Sequence, residues 1–177
     1  MPAYVAFLRA VNVRPRWMPM ARVRELLPEH GFADVQTYIQ SGNVRVTTSL
    51  RSPAKVADRL RTVLSEEFGF DVPAVIRRPE ALPALVREID ALPTPLPDAR
   101  VYVAFLDAAP SAQHQAVLDG WDEPGERARV LGEHLVTWLT VGAHEARLTN
   151  ARIERGGVVS TSRNLDVVRG LADRWGT

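Results

Sequence analysis

Three stretches of polar side chains are the parts of this sequence that could hold a ligand or carry chemistry. The first is Gln40, Ser41, Gly42 and Asn43, which lies between two apolar runs. Amide and hydroxyl groups at such a reversal either build the turn or bind something. A hairpin accounts for Ser41, Gly42 and Asn43, because glycine tolerates a positive φ and the other two satisfy local backbone groups. A hairpin accounts less well for Gln40, because glutamine has no special preference for turns.

The second stretch is Ser160-Thr161-Ser162-Arg163-Asn164, directly before the last predicted helix. Serine, threonine and asparagine all suit an N-terminal cap. One cap needs only one such residue, so the run also predicts an anion site. In that site Thr161, Ser162, Arg163 and Asn164 would join the free N–H groups of a helix start. Both interpretations stay open.

The third stretch is the loop that follows the first predicted strand. It carries Arg9, Asn12, Arg14 and Arg16, and no acidic residue precedes Glu25. A local excess of cations attracts phosphate or carboxylate groups, and ligands often bind beyond strand ends. A solvated basic loop is the simpler alternative.

Other kinds of site are excluded or find no support. The chain has no cysteine, which excludes disulfides, thiolate metal sites and cysteine nucleophiles. Its four histidines lack metal-ligand spacing, and no Walker loop, nucleophile elbow or glycine-rich dinucleotide motif occurs. No metal and no cofactor are therefore predicted. The strand Val44 to Thr48 lacks the aromatic side chains on which an RNA-recognition module stacks bases.

Composition places the chain among ordinary globular proteins. It has 177 residues, a net charge of +1, 46% hydrophobic and 24% charged residues. No run approaches the roughly 20 apolar residues of a membrane span, and the opening residues lack the basic region of a signal peptide. We expect a cytoplasmic protein with no membrane partner. Its oligomeric state is not predicted.

The elements that must position the polar stretches repeat along the chain. Apolar runs and turn signals predict strand, helix, strand, strand, helix and strand in order. The buried strand Tyr4-Val5-Ala6-Phe7-Leu8 recurs letter for letter as Tyr102-Val103-Ala104-Phe105-Leu106, and a similar order follows it. The prediction is an α+β fold of two tandem ferredoxin-like (β-α-β-β-α-β) halves with mostly antiparallel sheets.

Three segments follow from this order. Residues 1–78 form the first half, residues 79–98 a linker helix and proline-rich linker, and residues 99–177 the second half with a C-terminal helix. Within the second half, helical spacing predicts a helix from about Ala143 to Arg155. A brief strand is expected from Val158 to Ser160, just before the second polar stretch.

Five segments together carry a family resemblance. They are Tyr4-Val5-Ala6-Phe7-Leu8-Arg9-Ala10-Val11-Asn12-Val13, Pro19-Met20, Gly31-Phe32, Tyr38-Ile39-Gln40-Ser41-Gly42-Asn43-Val44 and Thr161-Ser162-Arg163-Asn164. They resemble a bacterial family catalogued as domain of unknown function 1697. The resemblance implies a cytoplasmic α/β protein with ferredoxin-like subunits of structure, and it implies no activity.

The chain departs from the pattern of that family in several places. Ala10 and Arg14 stand where the family usually has glycine, and the loop that follows is shorter here. Leu165 replaces a tryptophan after the Arg-Asn pair. Val167 and Gly170 replace a threonine and a lysine in the last helix. If those residues serve a ligand, this chain binds it differently or not at all.

Three functions remain open from the sequence. The favoured one is a binding protein for an anionic ligand, a nucleotide or nucleic-acid phosphate, at a polar site between the halves. The second is an enzyme on a small phosphorylated or acidic substrate, in which Asn12, Gln40, Asn43 and Arg163 bind charge and Ser41 or a carboxylate acts. No general base is evident for it. The third is an interaction module without a small-molecule site, whose polar motifs secure folding.

Overall fold

The chain folds as an α+β protein with two units, each built around its own antiparallel sheet. The structure is a computed structural model and describes residues 1–177. Residues 1–82 with 174–177 form the first unit, and residues 83–173 form the second. Two sheets and six α-helices are present, and every strand pairing is antiparallel. None of the helices has the length and apolar character that crossing a bilayer requires.

The first unit contains a four-stranded sheet with two helices on one face. Its elements are β1 (Ala3–Leu8), α1 (Met20–Leu26), β2 (Ala33–Tyr38), β3 (Asn43–Thr47), α2 (Pro53–Phe68) and β4 (Ala74–Arg77), with a 3-10 turn over Leu27–His30. The strands lie in the order β2-β3-β1-β4. Tyr4, Ala6 and Leu8 alternate along β1 and face the buried residues of α1 and α2. The third polar stretch, residues 9–16, begins directly after β1 and therefore lies at the end of a central strand of this sheet.

Local sequence signals account for α2. Ser52 caps it, because its hydroxyl accepts a hydrogen bond from the backbone N–H of Lys55 at 3.5 Å. Pro53 occupies the first helical position, where a missing N–H costs nothing. Gly69 then ends the helix in the left-handed conformation, with φ of +74°. The apolar stripe between these ends, Val56, Leu60, Val63 and Leu64, lies buried in the core. These local signals account for the whole extent of the helix.

The second unit contains a five-stranded sheet. Its elements are α3 (Ala81–Asp90), β5 (Arg100–Leu106), α4 (Ala112–Asp119), β6 (Asp122–Glu123), β7 (Glu126–Leu131), β8 (His134–Leu139), α5 (Asn150–Ile153), β9 (Ser160–Asn164) and α6 (Leu165–Trp175). The strands lie in the order β6-β7-β8-β5-β9. Helix α3 starts within the first unit, and the last two residues of α6 also belong to that unit.

The helix predicted from Ala143 to Arg155 is wrong over most of its length. Only the short α5 and a 3-10 turn over Glu154–Gly156 are helical there. The Glu126 carboxylate accepts hydrogen bonds from the backbone N–H groups of Arg147 at 2.6 Å and Leu148 at 3.0 Å. These are donors that a continuous helix would have used internally. The sequence has helical periodicity here, but the backbone N–H groups of Arg147 and Leu148 bind the distant Glu126 carboxylate instead of helical carbonyls.

An exposed ion pair in the first unit makes the free energy of unfolding depend on pH in the acid range. Arg61 donates to both carboxylate oxygens of Asp71, at 2.6 and 2.7 Å, and these bonds lower the pKa of Asp71. Because the folded pKa lies below the unfolded value of about 3.9, the stabilisation is present above that value. It is lost as the pH falls through the folded pKa.

We expect Asp71→Asn to lower the free energy of unfolding at pH 7 by about 0.5 kcal/mol, since both partners are solvated. Urea unfolding of wild type and variant across the acid range should show this difference closing below about pH 4. Glu66→Gln, which changes an exposed carboxylate near the end of α2, is the control. A difference between wild type and Asp71→Asn that stays constant into strong acid would contradict the assignment.

Candidate functional site

Two side-chain amides fix the loop between β1 and α1 at its base. Asn12 Oδ1 accepts a hydrogen bond from the backbone N–H of Met18 at 2.9 Å, and Asn12 Nδ2 donates to the backbone carbonyl of Gln40. Gln40 Oε1 accepts from the backbone N–H of Met20 at 3.2 Å. The structure therefore joins the first and third polar stretches, and it gives Gln40 the role that a hairpin alone explained less well.

The other polar residues of the turn hold the turn itself. Asn43 is buried, and its Nδ2 donates to the carbonyl of Tyr38 at 3.1 Å and to Ser41 Oγ at 2.9 Å. The carbonyl of Gly42 accepts from the backbone N–H of Leu8 at 2.8 Å, which ties the turn to the end of β1. These hydrogen bonds agree with the simpler interpretation, in which Ser41 and Asn43 stabilise the turn.

Ile39 carries backbone strain in this turn. Its φ is +51° and its side chain is 50% exposed. A β-branched residue in the left-handed region is a steric outlier, and little burial offsets it here. We expect Ile39→Asn to raise the free energy of unfolding by about 1 kcal/mol, because asparagine tolerates this conformation.

Thermal and urea unfolding would measure the gain from Ile39→Asn. Ile39→Val is the matched control, since it keeps the branched Cβ and should give no comparable gain. Equal stabilisation by both substitutions would show that removing apolar surface, and not backbone strain, is responsible.

The outer part of the loop places cations beside exposed apolar side chains. Residues 13–17 are here called the basic loop. Trp17 is 65% exposed and Val13 is 54% exposed. Arg14 is exposed and forms no ion pair, whereas Arg16 is half-buried with its guanidinium 5.8 Å from the centroid of the Phe70 ring. One short segment therefore presents two guanidinium groups and an indole.

The tip of the basic loop is a tight turn. The backbone N–H of Arg16 donates to the carbonyl of Val13 at 2.7 Å, and the peptide bond between Arg14 and Pro15 is cis. Arg9 stands where the loop leaves β1, and its backbone N–H donates to Pro73 at 2.9 Å. The loop is thus held at its start, at its tip and at the entry to α1.

The run Ser160–Asn164 is a strand, so its interpretation as a helix start with free N–H groups is wrong for residues 160–163 and holds only at Asn164. It forms β9, which pairs with β5 from the Leu106–Ser160 pair to the Tyr102–Asn164 pair. Asn164 alone acts at the helix, where its Oδ1 accepts from the backbone N–H of Asp166 at 2.8 Å. The polar composition suggested a helix cap, but in the strand successive side chains of the run point to opposite faces of the sheet.

Several side chains of β9 form hydrogen bonds within the second unit. Ser160 and Ser162 both donate to Asn150 Oδ1, at 3.0 and 2.9 Å. Arg163 donates to Thr161 Oγ1 at 2.8 Å. Arg163 is buried, and burial lowers its pKa to about 10, so the guanidinium stays charged at neutral pH.

Arg77 and Arg163 occupy equivalent positions in the two units. Arg77 pairs with Val5 across β4 and β1, and Arg163 pairs with Val103 across β9 and β5. Val5 and Val103 are the same letter of the repeated strand. Both arginines are buried, and each donates Nη1 to the carbonyl of the preceding residue at 2.8 Å. Arg77 was missed from the sequence, although the repeat offset together with strand pairing could have found it.

The predicted site residues fall in both units. The first unit holds Arg9, Asn12, Arg14, Arg16, Gln40, Ser41 and Asn43, and the second holds Thr161, Ser162, Arg163 and Asn164. Within the first unit, hydrogen bonds join the loop to the turn. Trp17 belongs beside these residues and was missed; its signal was its place next to Arg16 in a segment without acidic residues. No group of three metal-ligating side chains is present.

Comparison with known proteins identifies a family. Residues 1–135 match the family described as a protein of unknown function (DUF1697). The chain belongs to this family. That confirms the resemblance carried by the opening segment and the Tyr38–Val44 motif, both of which lie inside the match. Residues 161–164 lie outside it.

The fold of this chain is similar to that of a solved structure. The conserved bacterial protein SP0830 from Streptococcus pneumoniae is 22% identical, with a TM-score of 0.69 over 100% of this chain and 99% of that one. At this identity the likeness is one of fold. No curated protein matches the chain.

Proposed function

We propose that the first unit binds single-stranded nucleic acid through the basic loop. The observation that carries the proposal is Trp17, 65% exposed beside Arg14 and Arg16 on a loop held at both ends. Sequence-tolerant binding of single strands combines cations that follow the phosphates with an aromatic face on which a base stacks. The basic loop offers both within five residues.

Charge and rigidity both support this function. No acidic residue occurs among the first 24 residues, and the Asp71 carboxylate, whose pKa the charge of Arg16 helps to lower, is already bound by Arg61. Guanidinium groups bind phosphate oxygens in a bidentate manner. Asn12 and Gln40 position the loop in this account, and they need not contact the ligand. A loop already fixed loses less conformational entropy on binding.

The proposal predicts a defined salt dependence. Two arginines that each neutralise one phosphate of a single strand contribute about −1.4 to the slope of log K against log salt concentration. Base stacking on Trp17 contributes affinity without changing that slope, because it releases no counterions. The two kinds of contact can therefore be separated by measurement.

Fluorescence anisotropy of a labelled oligothymidylate tests these roles. Arg14→Ala/Arg16→Ala should weaken binding at about 50 mM salt by more than tenfold and reduce the slope by about 1.4. Trp17→Ala should weaken binding by about tenfold with the slope unchanged. The matched control is Arg59→Ala/Arg87→Ala, two exposed arginines on helices. Equal affinity of the two double variants, or no binding by the wild type, would overturn the proposal.

We also propose that both units are ferredoxin-like and that the protein is cytoplasmic. The order β-α-β-β-α-β and the sheet order β2-β3-β1-β4 of the first unit support the ferredoxin-like assignment. In the second unit β7-β8-β5-β9 repeats that order, with β6 added at the edge. A cytoplasmic location is in keeping with a chain that uses no cysteine.

A further inference from the structure

A second cationic concavity lies in the first unit, at the opposite end of β1 from the basic loop. It has a volume of about 420 Å³ and is lined by Met1, Pro2, Ser49, Arg51 and Arg78. This volume lies in the range of small-molecule sites, roughly 300–1,000 Å³. Two arginines and one hydroxyl line the concavity, and no acidic residue does. Its charge therefore favours an anion.

Arg78 is held in place before any ligand arrives. Its guanidinium lies 4.3 Å from the centroid of the Tyr4 ring, and its Nη1 donates to the carbonyl of Ala3 at 3.3 Å. Tyr4 in turn donates its hydroxyl hydrogen to the carbonyl of Leu50 at 2.9 Å. The same chain of contacts thus fixes Arg78 and the segment that carries Arg51.

Arg51 supplies the second cation. It is exposed and forms no ion pair. It directly precedes Ser52, the N-cap of the 16-residue helix α2. The partial positive charge of that helix start adds to the two guanidinium groups. Nothing on the lining of the concavity neutralises this charge, unlike the Arg22 and Arg61 side chains, which pair with Glu67 and Asp71.

We propose that this concavity binds a phosphate monoester, with Arg51 and Arg78 on the phosphoryl oxygens and Ser49 donating a hydrogen bond. Two guanidinium groups match the charge of a monoester dianion better than the single charge of a diester. The site would accept a small phosphorylated molecule and is separate from the basic loop. It does not rest on the proposed nucleic-acid binding.

Isothermal titration with phenyl phosphate, a monoester, and dimethyl phosphate, a diester, tests the site. The wild type should bind phenyl phosphate at least tenfold more tightly than dimethyl phosphate. Arg51→Ala should weaken phenyl phosphate binding about tenfold, the loss typical of one charge-assisted contact. Ser49→Ala should weaken it less. Arg59→Ala, an exposed arginine of α2 outside the concavity, should leave it unchanged.

Two further variants keep the test decisive. Arg78→Ala removes a residue that packs on Tyr4, so Arg78→Lys, which retains the charge, is measured with it and should bind better than alanine. Arg14→Ala/Arg16→Ala should bind phenyl phosphate as the wild type does, which separates this site from the basic loop. Absence of wild-type binding, equal binding by Arg51→Ala and Arg59→Ala, or loss of binding only in the basic-loop variant would overturn the proposal.

Discussion

Gly42→Ala is expected to lower the free energy of unfolding by about 3 kcal/mol. Gly42 has φ of +77°, which an alanine adopts at a cost of roughly 1–2 kcal/mol. A Cβ there would also lie 2.5 Å from Val11 Cγ2 and 2.9 Å from Leu8 Cβ. Leu8 is anchored in the central strand β1, so the clash cannot be relieved without moving the turn. The loss should appear as a lower urea midpoint.

Gly69→Ala separates the two causes of that loss. Gly69 has φ of +74°, nearly that of Gly42, but no atom lies within 4 Å of the position of an added Cβ. It should therefore cost only the conformational part, about 1–2 kcal/mol. The excess loss in Gly42→Ala measures the close approach of the turn to β1. Equal losses in the two variants would show that this approach is not a tight one.

Glu126→Ala is expected to cost about 4 kcal/mol. Glu126 is buried, and its carboxylate accepts hydrogen bonds from Trp121 Nε1 at 3.1 Å and from the backbone N–H groups of Arg147 and Leu148. Removing the carboxylate leaves these three donors without their acceptor, and a buried unsatisfied donor costs roughly 1–3 kcal/mol. The segment before α5 should also lose its attachment to the sheet.

Urea unfolding and amide hydrogen exchange measure both effects of Glu126→Ala. Faster exchange at the amides of Arg147 and Leu148 should accompany the loss of stability. Glu126→Gln keeps the shape and should lie between alanine and wild type. Glu123→Ala removes a neighbouring carboxylate that pairs with the Arg147 side chain in solvent and should cost less than about 1 kcal/mol. A loss in Glu126→Ala no larger than that control would contradict the role of Glu126.

Local signals predicted elements wherever local interactions decide the structure. The helix α2 follows from its cap at Ser52, its stripe of apolar residues and its end at Gly69. The predicted helix over residues 143–155 failed because the acceptor that captures its N–H groups, Glu126, lies about twenty residues away in sequence. Periodicity carries no information about such a distant partner. The interpretation of residues 160–163 as part of a helix start failed for a similar reason, because the pairing of β9 with β5 is non-local.

Residue types and spacing identified the polar stretches but not which contact each side chain makes. Gln40 was the residue that a hairpin explained less well, and its bond to the backbone of Met20 supplies the reason. Trp17 was overlooked because exposure cannot be read from the sequence. Arg77 was overlooked because its equivalence to Arg163 emerges only when strand pairing is known.

Intrinsic tryptophan fluorescence during titration with oligothymidylate tests the central claim most directly. Trp17 is largely exposed, whereas Trp138 and Trp175 are buried and Trp121 is half-buried. Stacking of a base on Trp17 should quench its emission and shield it from iodide, and Trp17→Phe should abolish both changes. Equal quenching in wild type and Trp17→Phe, or unaltered emission at saturating oligothymidylate, would contradict binding through the basic loop.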